Sequence, residues 1–341
     1  MPLTQLVEQY TTDIDAGIEV LLREQTPYVA DIAGYFFGWL DENFKPTTGV
    51  KKGKRIRPIM SLLTCEAVSG DYHPAVPLAM AIELIHNYSL IHDDIADRDD
   101  DRRGRPTVWK LWGDGIAINT GSVLYTLAYE AITQLDLPPQ KIIDIHKHII
   151  QTSIRLSEGQ HWDISYERRT DVTQDMYLHM IDGKTAALLE AATRLGAMVG
   201  TDDQKIIDAY ARFGRHLGLA FQIRDDYLNI WIETEESGKT RYSDLVNKKK
   251  SFPVTYALGT LKGAKLEKFA KIYEDFDSPM SQDEIQYVLG VLESIDAKTH
   301  TANLENQHTT EALRCLDETG IDNEAHQRLR TIADILIGRT S

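Results

Sequence analysis

The chain has 341 residues, and 42% of them are apolar, which excludes a disordered chain and allows a sizeable core. Lys and Arg number 37 against 52 Asp and Glu, a net charge of −15 that argues against a general nucleic-acid binder, whose footprint is a basic face. Cys65 and Cys315 are too few and too far apart for a disulfide framework or a thiolate zinc site, and they suit a reducing interior.

From the N-terminus, Glu8, Asp13 and Asp15 leave no basic leader. No window approaches the roughly 18 uninterrupted apolar residues of a spanning helix, so the expectation is a cytoplasmic protein with no transmembrane segment. The sequon Asn87-Tyr88-Ser89 is accidental without a secretory signal. A loop is expected at Lys45 to Gly53, then a helix from Val76 to His92 that is apolar on nearly every side. Further helices suit Ile142 to Leu156, Met176 to Val199, Lys205 to Asp226 and Asp283 to Asp296. Other loops fall at Arg102 to Thr107, Leu137 to Pro139, Glu235 to Asp244 and Asp275 to Ser281. Strand signals are weak, with no sustained alternation bounded by hairpin turns. There is no clear linker or repeat, so residues 1–341 are expected to form one all-α domain of about ten or more packed helices.

Three groups of residues carry chemistry. The first is Asp93-Asp94-Ile95-Ala96-Asp97, continued by Arg98-Asp99-Asp100-Asp101, with six aspartates in nine residues. On a helix, Asp93 and Asp97 point together with Asp94 beside them. Oxygen-only clusters of this kind suit Mg²⁺ shared with substrate phosphates. A solvated acidic helix end is the ordinary explanation of such a run. Here an apolar helix leads straight into it, and buried carboxylates need cations to offset their repulsion. An EF-hand is excluded, since a loop begun at Asp97 has Arg102 where Gly is needed and Val108 where Glu is needed. The second group, Phe221-Gln222-Ile223-Arg224-Asp225-Asp226-Tyr227-Leu228-Asn229, repeats the pattern on another apolar helix. Two such clusters can hold several metals across a bundle.

The third group is cationic. Lys51-Lys52-Gly53-Lys54-Arg55-Ile56-Arg57-Pro58 precedes one apolar helix, and Arg102-Arg103-Gly104-Arg105-Pro106-Thr107 follows the first acidic run. Lys184-Thr185, Lys239 and Lys248 to Lys250 add to it. Arg offers a planar fork to phosphate oxygens and Lys a point charge. Gly183-Lys184-Thr185 and Gly238-Lys239-Thr240 mimic the tail of a P-loop, but the required earlier Gly is Leu178 or Glu233. No GxGxxG follows a strand either, so a dinucleotide fold is unsupported. Carboxylates, bridging metal and cationic forks make a diphosphate site. An apolar helical bundle adds a greasy cavity, so the implied substrate is a hydrocarbon diphosphate.

From Lys52 to about Ala257 the chain resembles the trans-isoprenyl diphosphate synthases, the polyprenyl synthetases of the farnesyl and geranylgeranyl kind. The matching strings are Gly53-Lys54-Arg55-Ile56-Arg57-Pro58, Glu83-Leu84-Ile85-His86, Ser89-Leu90-Ile91-His92-Asp93-Asp94-Ile95-Ala96-Asp97 and Arg102-Arg103-Gly104-Arg105-Pro106-Thr107. They continue with Gly159-Gln160, Lys184-Thr185-Ala186, Phe221-Gln222-Ile223-Arg224-Asp225-Asp226 and Gly238-Lys239.

The resemblance implies a Mg²⁺-dependent prenyltransferase, acting as a homodimer, that condenses isopentenyl diphosphate with allylic diphosphates, with several metal ions per site. It implies Asp93, Asp97 and Asp225 as metal ligands, with Asp94 and Asp226 completing their clusters. It implies Arg102, Lys184 and Lys239 on the allylic diphosphate, with Thr185 and Gln222 near the reacting carbons. Lys54, Arg57, His86 and Arg103 correspond to the isopentenyl diphosphate site, and Lys249 to a further phosphate-binding lysine. His86 lies seven residues before Asp93, two turns away on one helix face, although a satisfied core histidine is its ordinary reading. Departures from the family pattern are Lys52, Ser122, Asn229 and Tyr242. Asn229 is expected to keep an oxygen ligand.

Product length is argued from Tyr88, five residues before Asp93 and about 7.5 Å along the helix axis. A large ring there is a floor, and Ser89 beside it is small. The expected product is geranylgeranyl diphosphate (C20), with farnesyl diphosphate (C15) as the alternative. A class I terpene cyclase would not need Lys54, Arg57, His86 and Arg103. A helical metal phosphohydrolase built on His92-Asp93 leaves the second acidic motif unexplained. A silent partner subunit would have lost the aspartates. Residues 93 to 105 hold six Asp and four Arg, so the overall acidity lies elsewhere, on solvated surface.

Overall fold

The structure, a computed structural model, describes residues 3–50, 53–232, 242–275 and 278–338. It is all-α, as expected. The first helices are α1 (Leu3–Arg23), α2 (Pro27–Phe37), α3 (Ile56–Ser69), α4 (Val76–Asp97), α5 (Val108–Trp112) and α6 (Asp114–Thr133). Then come α7 (Pro139–Tyr166), α8 (Gln174–Ile181), a π-turn (Asp182–Ala186), α9 (Ala187–Gly200) and α10 (Gln204–Trp231). The chain ends with α11 (Ser243–Val246), α12 (Phe252–Thr260), α13 (Gly263–Glu274), α14 (Gln282–Ser294), α15 (Ala297–Asp317) and α16 (Glu324–Leu336). Among the described residues no helix is long and apolar enough to cross a membrane.

Two compact units make up the chain. The first comprises Met1–Ser153, Ala191–Ala211 and Asp317–Ile332, and the second Ile154–Glu190, Arg212–Leu316 and Ala333–Ser341. In the first unit α4 is the central helix. Leu78 to Ile85 are all buried, in keeping with a sequence apolar on all sides, and α1, α3 and α6 pack on it. Glu83 breaks that apolar run and is matched by the buried Arg55, 3.0 Å away, which also pairs with Asp15 at 3.0 Å. In the second unit one core gathers Leu245, Val254, Phe269, Tyr273, Ile285 and Leu292, and a smaller one Tyr177, Ile181, Ile223 and Phe252. Thr173 caps α8 by accepting from the Met176 amide, and a Ser281–Glu284 capping box starts α14.

Two local features differ from the sequence expectation. The segment 102–107 contains a short antiparallel hairpin rather than only a loop, with Arg102 opposite Arg105 and Asp101 opposite Pro106. It was invisible as alternation because each strand has two residues. The helix expected over Met176 to Val199 is interrupted by the π-turn, which apolar periodicity does not report.

Candidate active site

In the first unit the helix carrying Asp93, Asp94 and Asp97 stays regular to Asp97, so the i, i+4 relation of Asp93 and Asp97 holds. Arg98 ends it in the left-handed region (φ 56°) and turns the chain back. The hairpin follows, with Arg103 (φ 59°) and Gly104 (φ 78°) both left-handed, the signature of a type I′ turn. This path returns Arg102 to the helix end, where its Nε donates to Asp94 Oδ1 at 2.6 Å. Asp94 is fully buried, and its Oδ2 has no hydrogen-bond partner. Burial pushes the Asp94 carboxyl up to about 7, against the opposing pull of Arg102.

Beside this lies a cationic group. The side chain of Arg57 approaches His86, with Nη1 3.3 Å from Nε2. A guanidinium can only donate, so His86 Nε2 accepts and the ring is neutral. Burial, reinforced by Arg57, Arg103 and Arg102, keeps His86 well below the ordinary histidine range. A methyl group on Gly53 would lie 2.9 Å from both Arg103 Nη2 and Arg55 Nη1, so two guanidiniums converge on that bare backbone. Burial lowers Arg103 to about 10, which leaves it charged at neutral pH. Arg57 Nε and Arg55 Nη2 are buried without hydrogen-bond partners. Unsatisfied cationic donors near one another are the electrostatic form of an anion site. Lys54 is exposed next to Arg55 in the chain.

In the second unit the π-turn presents Lys184 and Thr185. Lys184 Nζ pairs with Asp163 Oδ2 at 2.5 Å. Burial would raise Asp163, but Lys184 and Lys249 override it and hold the carboxyl below its usual range, so both lysines act on one carboxylate. Thr185 Oγ1 donates to Gln222 Oε1 at 2.9 Å, and Gln222 Nε2 to Asp226 Oδ1 at 3.2 Å. Buried Asp226 also accepts from the Tyr177 hydroxyl (2.6 Å) and the Phe252 amide (2.8 Å). Burial, with Asp244 adding to it, lifts Asp226 to about 7. Asp225 is exposed next to it.

Each unit thus brings several of the expected residues together. The first assembles Asp94, Arg102, Arg103, Arg57 and His86, and the second Lys184, Thr185, Gln222, Asp226 and Lys249. Asp94 and Asp226 are buried braces within their motifs. Asn229, expected to offer an oxygen ligand, donates to Ser243 Oγ at 2.8 Å and accepts from the Asp244 amide at 3.1 Å, so its oxygen holds backbone. Tyr242 stands where the family commonly has Gly, and its φ of 63° is the left-handed value that favours Gly. Ser122 is exposed and bonds only locally, to the Ile118 carbonyl at 2.8 Å. Lys239, Lys52 and Gly238 lie outside the described residues.

The sequence reading did not single out Asp163, Tyr177 or Arg55. Arg55 had a signal, because Glu83 in an apolar helix demands a cation. Asp163 had none, being 21 residues from Lys184.

Tyr88 packs its ring on Tyr125 (centroids 4.7 Å apart) and edge-on to His92 (5.5 Å). The Tyr125 and Tyr129 hydroxyls are 2.6 Å apart, so the ring at position 88 is backed by a second and a third on α6. Ser89 donates to the His86 carbonyl at 2.8 Å and offers no bulk.

The donor chemistry fits Mg²⁺. In the first unit Asp93, Asp94 and Asp97 offer hard oxygens, and Asp94 Oδ2 is buried without a hydrogen-bond partner; in the second unit Asp225 offers the same donor type. Among the described residues no group of three or more potential ligands forms a ready-made metal cage.

Residues 38–292 match the polyprenyl synthetase family. A (2E,6E)-farnesyl diphosphate synthase of Mycobacterium tuberculosis is 36% identical over 315 residues, covering 92% of this chain and 87% of that protein. A geranylgeranyl diphosphate synthase of Methanosarcina mazei is 32% identical over 341 residues, covering 99% and 98%. The crystal structure of a polyprenyl synthetase from Streptomyces coelicolor superposes with a TM-score of 0.89 at 34% identity, covering 98% of this chain and all of that one. The expected family and its all-helical fold are thereby borne out: the chain belongs to the polyprenyl synthetase family and is a prenyltransferase.

Proposed function

We propose that this protein is a short-chain trans-prenyl diphosphate synthase that joins isopentenyl diphosphate to an allylic diphosphate in a Mg²⁺-dependent reaction, with geranylgeranyl diphosphate as the main product. The observation that carries it is the pairing of the carboxylate end of α4 with the guanidiniums of Arg102, Arg103 and Arg57 gathered beside it. Such a set suits a diphosphate and a divalent cation together.

In this reading Asp93, Asp97 and Asp225 hold the metal. Bound there, Mg²⁺ would neutralise charge on the leaving diphosphate. Arg102, Lys184 and Lys239 bind that diphosphate and take up the charge it gains as the allylic C–O bond breaks. Arg57, Arg103 and Lys54 bind isopentenyl diphosphate, with neutral His86 offering its remaining ring N–H. Lys249 adds a further cation. Thr185 and Gln222, tied to each other, orient polar atoms near the reacting carbons. The isopentenyl double bond attacks the allylic carbon, one proton is lost to the released diphosphate, and the chain grows by five carbons. No protein nucleophile is needed, and water is kept from the cation. A homodimer is implied by the resemblance, and sedimentation of the purified protein tests it.

A C15 product is the second reading, favoured by the name of the Mycobacterium relative. Incubating the protein with Mg²⁺, isopentenyl diphosphate and each allylic diphosphate, then sizing the products, decides. C20 is expected to dominate, C15 dominance selects the second reading, and a failure to elongate any primer overturns both.

A further inference from the structure

Between α8 and α9 the chain widens for one turn, closed by the Ala187 amide donating to the Asp182 carbonyl. A π-turn adds one residue to a helix, weakens its hydrogen bonding and persists only where its surroundings hold it. This one carries Lys184 and Thr185.

All of its supports lie within the second unit. On the α7 side, a Cβ on Gly159 would come 2.1 Å from the Lys184 amide nitrogen, and one on Gly183 would come 2.5 Å from the Arg155 carbonyl oxygen. On the α10 side, a Cβ on Gly218 would come 2.5 Å from Ala186 Cα. These contacts set distance but carry no direction. Direction comes from Asp182, the first residue of the turn. Arg215 Nε of α10 donates to its Oδ1 at 2.6 Å, and Arg155 Nη2 of α7 to its Oδ2 at 2.9 Å.

The second hand of Arg155 is informative. Its Nη1 donates to Glu190 Oε2 at 2.8 Å, in α9 beyond the turn. In a regular α-helix, residues eight apart sit about 80° around the axis from each other; one inserted residue brings them to within about 20°. Only the widened register puts Asp182 and Glu190 on one face, two turns apart, where a single guanidinium reaches both.

We infer that Arg155 and Arg215 are positioning residues that hold the π-register through Asp182 and so aim Lys184 and Thr185 at the allylic diphosphate. The aim of those two side chains rests on the prenyltransferase reading above; the clamp itself does not. Loss of the clamp lets the turn relax toward α geometry, which rotates the two flanking helices against each other by about one residue's worth of helix, roughly 100°, and swings Lys184 and Thr185, inside the turn, through part of that angle. The Lys184–Asp163 pair is then lost with it.

The test compares Asp182→Asn, Arg215→Met and Arg215→Lys with the unaltered protein. Steady-state rates are taken with each substrate varied in turn, and amide hydrogen exchange is followed over residues 183–187. The KM for the allylic diphosphate is expected to rise about tenfold in Asp182→Asn and Arg215→Met, as for loss of one coupled charged contact. The KM for isopentenyl diphosphate should stay within about twofold, a split that general destabilisation does not produce. Arg215→Lys should recover part of the loss, and exchange over 183–187 should quicken in the two stronger variants. An unchanged allylic KM in an active protein, or unchanged exchange in any protein, overturns the clamp. If the unaltered protein elongates nothing, the functional reading falls, and the exchange result still decides the clamp.

Discussion

Arg102 Nε donates to Asp94 Oδ1 across 2.6 Å, and Asp94 is completely buried. The pair closes the hairpin onto the end of α4, so one contact serves both the fold and the proposed diphosphate site. Removing the arginine alone takes away the charged donor of a buried carboxyl, which then holds its proton at neutral pH, and the lost charge-assisted hydrogen bond costs about 1.5–3 kcal/mol. Arg102→Gln is therefore expected to lower the denaturation midpoint sharply and to reduce kcat by about 100-fold through the lost charge on the leaving group. The double variant Asp94→Asn with Arg102→Gln should be more stable than Arg102→Gln alone. Urea titrations of the two variants and the unaltered protein check this, and a double variant no more stable than the single one contradicts the pairing.

The same reasoning applies deeper in the first unit. Arg55 is 1% exposed at its side chain and faces Asp15 and buried Glu83, each at 3.0 Å. It does so from a left-handed backbone (φ 51°) at the start of α3, between Lys54 and Arg57. Arg55→Met should destabilise the protein by about 3 kcal/mol or more, because Glu83 is left uncompensated. Arg55→Met with Glu83→Gln should regain much of that loss. Thermal unfolding of both variants provides the measurement.

Tyr88 is the proposed floor for the growing chain, and Tyr125 stands behind it at 4.7 Å. Tyr88→Ala should lengthen the main product by at least one five-carbon unit. Tyr88→Ala with Tyr125→Ala should lengthen it again. Tyr125→Phe keeps the ring and should leave the length unaltered. Chromatography of dephosphorylated products reads all three. An unchanged distribution in Tyr88→Ala removes Tyr88 from the floor.

His216 and His308 meet with their Nδ1 atoms 3.0 Å apart, so one ring donates and the other accepts. Burial, with His216 and Arg215 reinforcing it, holds His308 down to about 4, while Asp182 and Glu311 pull the other way. An unfolded histidine takes up its proton near 6.5. Between those values the unfolded chain binds more protons, so stability is full above about pH 6.5 and falls as pH drops toward 4. The loss should reach about 1–2 kcal/mol once solvent screening of this half-buried ring is allowed for. His308→Gln should flatten that part of the curve. Urea midpoints at pH 7.5 and 4.5 test it, and equal pH dependence in both proteins refutes the assignment.

Local pattern made much of this molecule legible from the chain. The apolar surround of α4 fixed it as a central helix, and helix periodicity alone put Asp93 and Asp97 one turn apart. The clustering of Lys and Arg in an acidic chain marks the segments proposed to bind diphosphate. These features live within one or two helical turns, where spacing dictates geometry.

Tertiary structure decided which members of each motif are buried and which partners they take. Asp94 and Asp226 look equivalent to their neighbours in the sequence, yet both are buried and braced, Asp94 by Arg102 and Asp226 by Tyr177, Gln222 and the Phe252 amide. Asp163 as counter-ion of Lys184, Arg55 as partner of Glu83, and the gripped π-turn at Asp182 all join residues distant along the chain. Residue types and periodicity determined the helices and the diphosphate chemistry. Only packing decided the partners, because a buried charge is compensated by whichever opposite charge the fold brings to it, whatever their separation in the sequence.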